Sequence, residues 1–199
     1  MSRVEEILSF WFGQPQDDQR YYDEWHKRWF AGDPHFDQTV RDQFLPDYEL
    51  AAARKLMDWQ NKPHSGLALV VLLDQFPRNM FRNTPRAFAA DALAREVTEF
   101  LIRSGSDQQL LPVERMFLYL PFMHSEDRLD QQRSVALFHQ LLQDRNYLNS
   151  YTFAVQHQEV IERFGRFPHR NAVLGRSSTP EESEFLQQPG SSFSPPATS

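Results

Sequence analysis

The sequence predicts an all-α fold, an irregular stack of antiparallel helical hairpins with eight or nine helices. Three observations lead there. Apolar residues recur at helical spacing along nearly the whole chain, and no stretch alternates well enough for a convincing strand. Helix-start pairs punctuate the chain at Asp33-Pro34, Thr84-Pro85, Leu111-Pro112 and Thr179-Pro180. The connections between periodic stretches are short, which favours antiparallel neighbours. No strict repeat at 34 residues is present, so a regular solenoid is not expected.

Each element has a local reason. Ser2 and Glu5 can form a capping box, and Val4, Ile7, Leu8 and Trp11 then share one face up to Gly13. Tyr21 to Phe30 is aromatic-rich and stops at Gly32. Asp33-Pro34 opens a helix to about Phe44; Pro46 is expected to interrupt it before it resumes over Tyr48 to Trp59. Ser65 can cap a helix through Phe76 that is apolar almost all round, so it should be central. Thr84-Pro85 opens a helix to about Arg103, and Leu111-Pro112 opens one packing Phe117, Leu118, Leu120 and Phe122 inward. Ser125 or Asp127 restarts the chain toward Ala136, Leu137, Leu141 and Leu142. Tyr151 to Phe164 ends at Gly165, a suitable C-terminal cap. Thr179-Pro180-Glu181-Glu182 caps a last helix ending near Leu186.

The 199 residues fit one domain, residues 1–188, followed by a Ser- and Pro-rich tail, residues 189–199, expected to be disordered or pinned only at Phe193. An apolar content of 40%, with 17 Phe and 4 Trp, is enough for a core. The absence of cysteine excludes a disulfide framework, a thiolate metal site and a cysteine nucleophile. The opening Met1-Ser2-Arg3-Val4-Glu5-Glu6 is charged too early for a signal peptide, and no apolar run approaches membrane-spanning length. A cytoplasmic protein without membrane contact is the expectation. A net charge of -6 argues against nucleic-acid binding by the whole surface. Of the 21 cationic residues only Lys27, Lys55 and Lys62 are lysines; codon bias accounts for that, although Arg is the better bidentate anion ligand.

Chemistry-bearing residues gather in three places. Gln75-Phe76-Pro77-Arg78-Asn79, following Asp74 and continuing to Arg82, Arg86 and Asp91, closes the central helix. Arg166-Phe167-Pro168-His169-Arg170-Asn171, leading to Arg176, closes a later one. Each is Phe-Pro followed by cationic side chains and an Asn, where the proline is expected to break the helix and aim those residues off its end. Guanidinium forks beside amides suit a carboxylate or phosphate, and a nearby helix N-terminus adds backbone donors. The candidate ligand set is therefore Gln75, Arg78, Asn79, Arg82, Arg166, Arg170 and Asn171, lining one cationic pocket for a small anion or the acidic end of a peptide. The structural alternative ties helix ends together through pairs with Asp74, Glu126, Asp127 or Glu159.

Between them, Tyr119-Leu120-Pro121-Phe122-Met123-His124-Ser125-Glu126-Asp127 reads as a helix ended by proline. His124 and Glu126 resemble an acid/base pair, while Ser125 and Asp127 suit a helix start. If the chain is an enzyme, it is a metal-independent hydrolase or transferase with His124 or His169 as general base, oriented by Glu126. His124, Glu126, His157 and His169 are metal-ligand types, but none stands at a known helix spacing such as His-Glu-x-x-His, and neighbouring guanidiniums would repel a cation. No metal is expected, and no Gly-rich loop suggests a nucleotide cofactor.

Leu73-Asp74-Gln75-Phe76-Pro77-Arg78-Asn79, Pro85-Arg86-Ala87-Phe88, Tyr119-Leu120-Pro121-Phe122 with His124-Ser125-Glu126-Asp127, and Arg163-Phe164-Gly165 through Asn171 carry a resemblance. So do Leu8-Ser9-Phe10-Trp11-Phe12-Gly13, Gly175-Arg176 and Thr179-Pro180-Glu181-Glu182. In this order they resemble a bacterial family of uncharacterised, all-helical proteins classed with tetratricopeptide-like folds, over roughly residues 4 to 193. The resemblance implies a tetratricopeptide-like superhelix. It implies no activity and no catalytic residue.

Overall fold

The computed structural model describes residues 1–15, 19–30, 32–143 and 147–193; residues 194–199 of the Ser/Pro tail lie outside it. Helix α1 (Arg3–Phe12) opens on the expected capping box: Ser2 Oγ accepts the Glu5 N–H, and the Glu5 carboxylate accepts the Ser2 N–H at 2.7 Å. Helix α2 spans Gln19–Phe30. Helix α3 (Pro34–Ala52) is capped by Asp33 and passes through Pro46 without stopping. Phe44 and Tyr48, on either side of that proline, are both buried, and their burial outweighs the one lost backbone bond.

The central rod differs from expectation at both ends. Helix α4 (Pro63–Val70) starts two residues before Ser65, whose hydroxyl instead donates to the Trp59 carbonyl at 2.6 Å. A π turn over Val71–Gln75 follows, and helix α5 (Phe76–Met80) carries the chain past Pro77. The proline therefore does not end the helix. The Phe76 N–H reaches back five residues to Val71, and this widened turn absorbs the donor that Pro77 lacks. Leu67 through Leu73 and Phe76 are fully buried, so the rod is central as its composition demands.

Thr84-Pro85 opens only a 3-10 turn (Pro85–Phe88), and helix α6 (Asp91–Arg103) begins afterwards with Asp91 as its first residue. Helix α7 (Pro112–Met123) runs through Pro121, for the same reason as α3: Leu118 and Phe122 are buried around it. Asp127 caps helix α8 (Arg128–Gln140), accepting from the Leu129 and Asp130 N–H groups. Helix α9 (Leu148–Phe164) ends at Gly165, whose φ of +71° is the left-handed cap that glycine adopts without strain. A 3-10 turn (Pro168–Arg170) follows, so here the Phe-Pro pair starts a turn rather than breaking a helix. Helix α10 (Pro180–Phe185) has the expected Thr179–Glu182 capping box. Counting the α4–α5 rod once, the described residues hold nine α-helices and no strand.

Helix α1 packs on α4, α3 on α5, and α6, α7, α8 and α9 pack each on the next. The main core holds an aromatic cluster in which Trp29 meets Phe117 edge-on at 4.6 Å and Phe44 tilts against Phe76 at 4.8 Å. A smaller apolar group, Val160, Ile161 and Phe167, gathers Phe164, Phe185 and Phe193. Among the described residues no helix is long and apolar enough to cross a membrane.

Candidate functional site

The two Phe-Pro segments meet. Arg78, on α5, donates through both terminal nitrogens to the Asp91 carboxylate at 2.9 and 3.0 Å. Arg170, in the turn after α9, points Nη1 at the same carboxylate from 3.7 Å. The ring of Phe88 lies over both guanidiniums, its centroid 4.7 Å from Arg170 and 5.7 Å from Arg78; Arg170 also lies 4.6 Å from the Phe167 ring centroid.

His124 joins them at the end of α7. Its Nδ1 lies 2.8 Å from Oδ1 of Asp74, a fully buried carboxylate that also receives the Gln75 amide at 2.5 Å and Arg78 at 3.2 Å. Burial opposes ionisation of Asp74, but Arg78 and then His124 outweigh it and hold its carboxyl below the usual carboxylate range. Burial, then Arg78, pushes the His124 imidazole down against the pull of Asp74. A neutral imidazole beside an ionised carboxylate carries its proton on Nδ1, leaving the Nε2 lone pair outward. Among the described residues Nε2 makes no hydrogen bond, and it is not shut off from solvent. The cluster reaches solvent at its rim, where the side chains of Arg78 and His124 are 20% and 16% exposed.

Arg170 is the least satisfied member. It is buried, donates from Nη2 to the His124 carbonyl at 2.9 Å, and its Nε has no partner among the described residues. Burial first, then the neighbouring charge of Arg78, lowers its guanidinium to about 10. The centre is charge-compensated, with Asp74 and Asp91 facing Arg78 and Arg170.

The remaining sequence candidates lie in satellite networks. Asn79 and Arg82 both donate to Asp37, tying α5 to α3. Arg166 makes a bidentate pair with Glu182 at 2.6 and 2.8 Å, and Asn171 donates to Glu182 and to Ser178. Glu126 does not orient His124; it accepts the Phe167 N–H at 2.8 Å and a bidentate pair from Arg176. His169 sits beside Phe167 and Phe193, its Nδ1 buried without a partner among the described residues, and burial followed by Arg170 pushes it down to about 4. His157 is stacked on Phe193 at 3.7 Å and bonded to the Phe153 carbonyl. No group of three or more metal-ligating side chains occurs among the described residues.

Sequence reasoning gave no site role to three groups that complete the centre. Asp91 stood in the motif run but without a role; it is the first residue of α6, where carboxylates usually serve the helix N-terminus. Asp74 was read as a structural partner, not as the group orienting His124. Phe88 carried no signal beyond its place in the Pro-Arg-Ala-Phe motif.

A family model described as a bacterial protein of unknown function (DUF924) matches residues 7–190. The chain belongs to this family. The DUF924 chain is also similar to a solved structure, the protein of unknown function ATU0120 from Agrobacterium tumefaciens: 41% identity, 92% of this chain and 96% of that one covered, TM-score 0.80. No curated protein matches this DUF924 sequence. The central residues Asp74, Arg78, Phe88, Asp91, His124 and Arg170 all fall inside the span that matches the family.

Proposed function

We propose that this protein binds a small anion, or the acidic end of a peptide, at the centre formed by Arg78, Asp91, His124 and Arg170. The observation that carries this reading is the state of Arg170. A buried guanidinium normally has its donors filled, because leaving them unmade costs about 1–3 kcal/mol each. Arg170 instead has an empty Nε and a carboxylate at 3.7 Å, beyond hydrogen-bond reach. An incoming carboxylate or phosphate oxygen satisfies the donors of Nη1, which is not sealed from solvent, with Gln75 and Arg78 completing the set. Asn79, Arg82, Arg166 and Asn171 hold the surrounding helices. The successive packing of α6 on α7, α7 on α8 and α8 on α9 supports a tetratricopeptide-like superhelix, whose grooves suit an extended peptide.

Thermal unfolding against phosphate, small carboxylates and peptides with acidic ends tests this. An anion at 100 times its dissociation constant adds about 2.7 kcal/mol, or roughly 5–10 °C for a chain this size. Arg170→Gln should abolish the shift, and Arg82→Gln should retain it. A shift from no anion, or one that survives Arg170→Gln, refutes the site.

A second reading is favoured by the Asp74–His124 pair. An ionised carboxylate holding Nδ1–H, with Nε2 open and two guanidiniums in the same cluster, is an arrangement that suits a general base acting on an anionic substrate. The activity is then a metal-independent hydrolysis or group transfer. A screen of ester and phosphoester substrates should show turnover that His124→Gln removes while anion binding persists. No turnover in the wild type on any of them leaves the binding reading alone.

A further inference from the structure

A second site lies away from this centre, in an open groove of about 1070 Å³ between α1 and the start of α4. Its lining mixes apolar side chains with polar ones such as Ser9 and Asn61. Val4, Leu8 and Phe12 repeat along one face of α1, and Trp59 and Pro63 stand opposite. The charged rim residues Glu5, Asp58, Lys62 and His64 are all exposed, so salt and water screen them. One ionisable group in the lining is different. Glu114 is only 4% exposed, yet it borders the groove.

Half of the Glu114 carboxylate has a structural explanation. It stands at the third position of α7, and its Oε2 accepts the Leu111 N–H at 2.9 Å, as capping-box geometry requires. The other half does not. The approach to Oε1 is from His64 Nε2 at 3.8 Å, too long for a hydrogen bond. Oε1 is also absent from the buried atoms without a partner, so it opens to the groove. A carboxylate oxygen that opens to the groove with no donor in hydrogen-bond reach among the described residues is free to take a cation.

We propose that this groove binds an organic amine with an apolar body. The ammonium sits on Glu114 Oε1, and the aliphatic or aromatic body lies between the α1 face and Trp59. The volume is that of a small-molecule or short-side-chain site. Charge complementarity selects the cation: the buried floor charge is negative, whereas the positive Lys62 is solvated on the rim. The amine site is independent of the anion centre, and neither depends on the other.

The test is a titration of the whole protein with three matched ligand series, n-alkylamines, n-alkanols and n-alkylcarboxylates, followed by calorimetry and by the Trp59 indole signal in NMR. Affinity should rise with chain length in the amines. At equal length the amine should bind about tenfold or more tightly than the alcohol, as a charge-assisted hydrogen bond requires. Glu114→Gln is the decisive variant, because glutamine keeps the acceptor for Leu111 and hence the cap. In it the amine should lose its advantage over the alcohol while the alcohol binds as before. Equal binding of amine and alcohol to the wild type, a preference for the carboxylate, or a preference that survives Glu114→Gln overturns the proposal. Should Glu114→Gln fail to fold, Leu8→Asp on the groove wall serves in its place: amine binding that keeps its chain-length dependence there also overturns it.

Discussion

Asp91→Ala removes the carboxylate that the two Phe-Pro segments share, and its consequences can be worked out from the contacts. Asp91 is 8% exposed, accepts two nitrogens of Arg78 and faces Arg170. Deleting one partner of a buried ion pair costs about 3–5 kcal/mol, because the other charge is left uncompensated. Two features put this case at the low end. Arg78 keeps the Asp74 carbonyl at 2.6 Å and the Asp74 carboxylate at 3.2 Å, and part of its side chain is in water. The expected loss is about 3 kcal/mol, or about 6–12 °C in melting temperature. The deletion also leaves a carboxylate-sized space facing two arginines. Acetate or formate should therefore stabilise the variant more than the wild type, measured as the urea midpoint against chloride at constant ionic strength. Adding Arg170→Gln should erase most of that rescue. A loss below about 1 kcal/mol, which is ordinary for any substitution, would show that Asp91 does not hold the centre together. A rescue equally strong with chloride would show that the space has no anion specificity.

Two further outcomes follow from burial. His124, His157 and His169 are all held neutral in the fold by burial, below the ordinary 6.5. The unfolded chain then binds more protons, so stability is complete above about pH 6.5 and falls as the pH drops toward 4; His169 alone, at about 4 when folded, should cost about 1 kcal/mol between pH 7 and 5.5. Asp74, Glu126 and Glu182 are held below the ordinary carboxyl value, so their contribution is lost at still lower pH, from about 4 downward. Urea midpoints at pH 7 and 5.5 check this, and His169→Gln should flatten the difference; a flat wild-type profile would mean the imidazoles are not buried as described. Separately, a Cβ on Gly66 would stand 2.7 Å from a terminal carbon of the buried Leu101. Gly66→Ala should cost about 1–2 kcal/mol despite its better helix propensity, and a double-mutant cycle with Leu101→Ala should show coupling.

What could be read from the sequence was what is local. The Ser2–Glu5 and Thr179–Glu182 capping boxes and the Gly165 terminus depend on neighbours within a few residues and stand as expected, and of the two starts offered for α8, Ser125 and Asp127, the cap is Asp127. Proline misled where tertiary burial overruled it. Pro46 and Pro121 lie inside helices whose buried faces continue on both sides, and Pro77 is absorbed by a π turn that no local pattern announces. The site divides in the same way. Arg78 and Arg170 were recognisable as costly residues in matching motifs. Their common partner Asp91, the orienting role of Asp74 and the diversion of Glu126 to Arg176 all depend on which helix ends meet, and that is fixed only by packing of the whole stack.

The anion centre is tested most directly by a crystal structure of the protein soaked in selenate, with the selenium located by its anomalous signal. A peak within hydrogen-bonding distance of the Arg170 guanidinium, beside His124 and under Phe88, is the expected result. Peaks confined to exposed arginines such as Arg54 and Arg86, with none at the Arg170 Nη1, would contradict it.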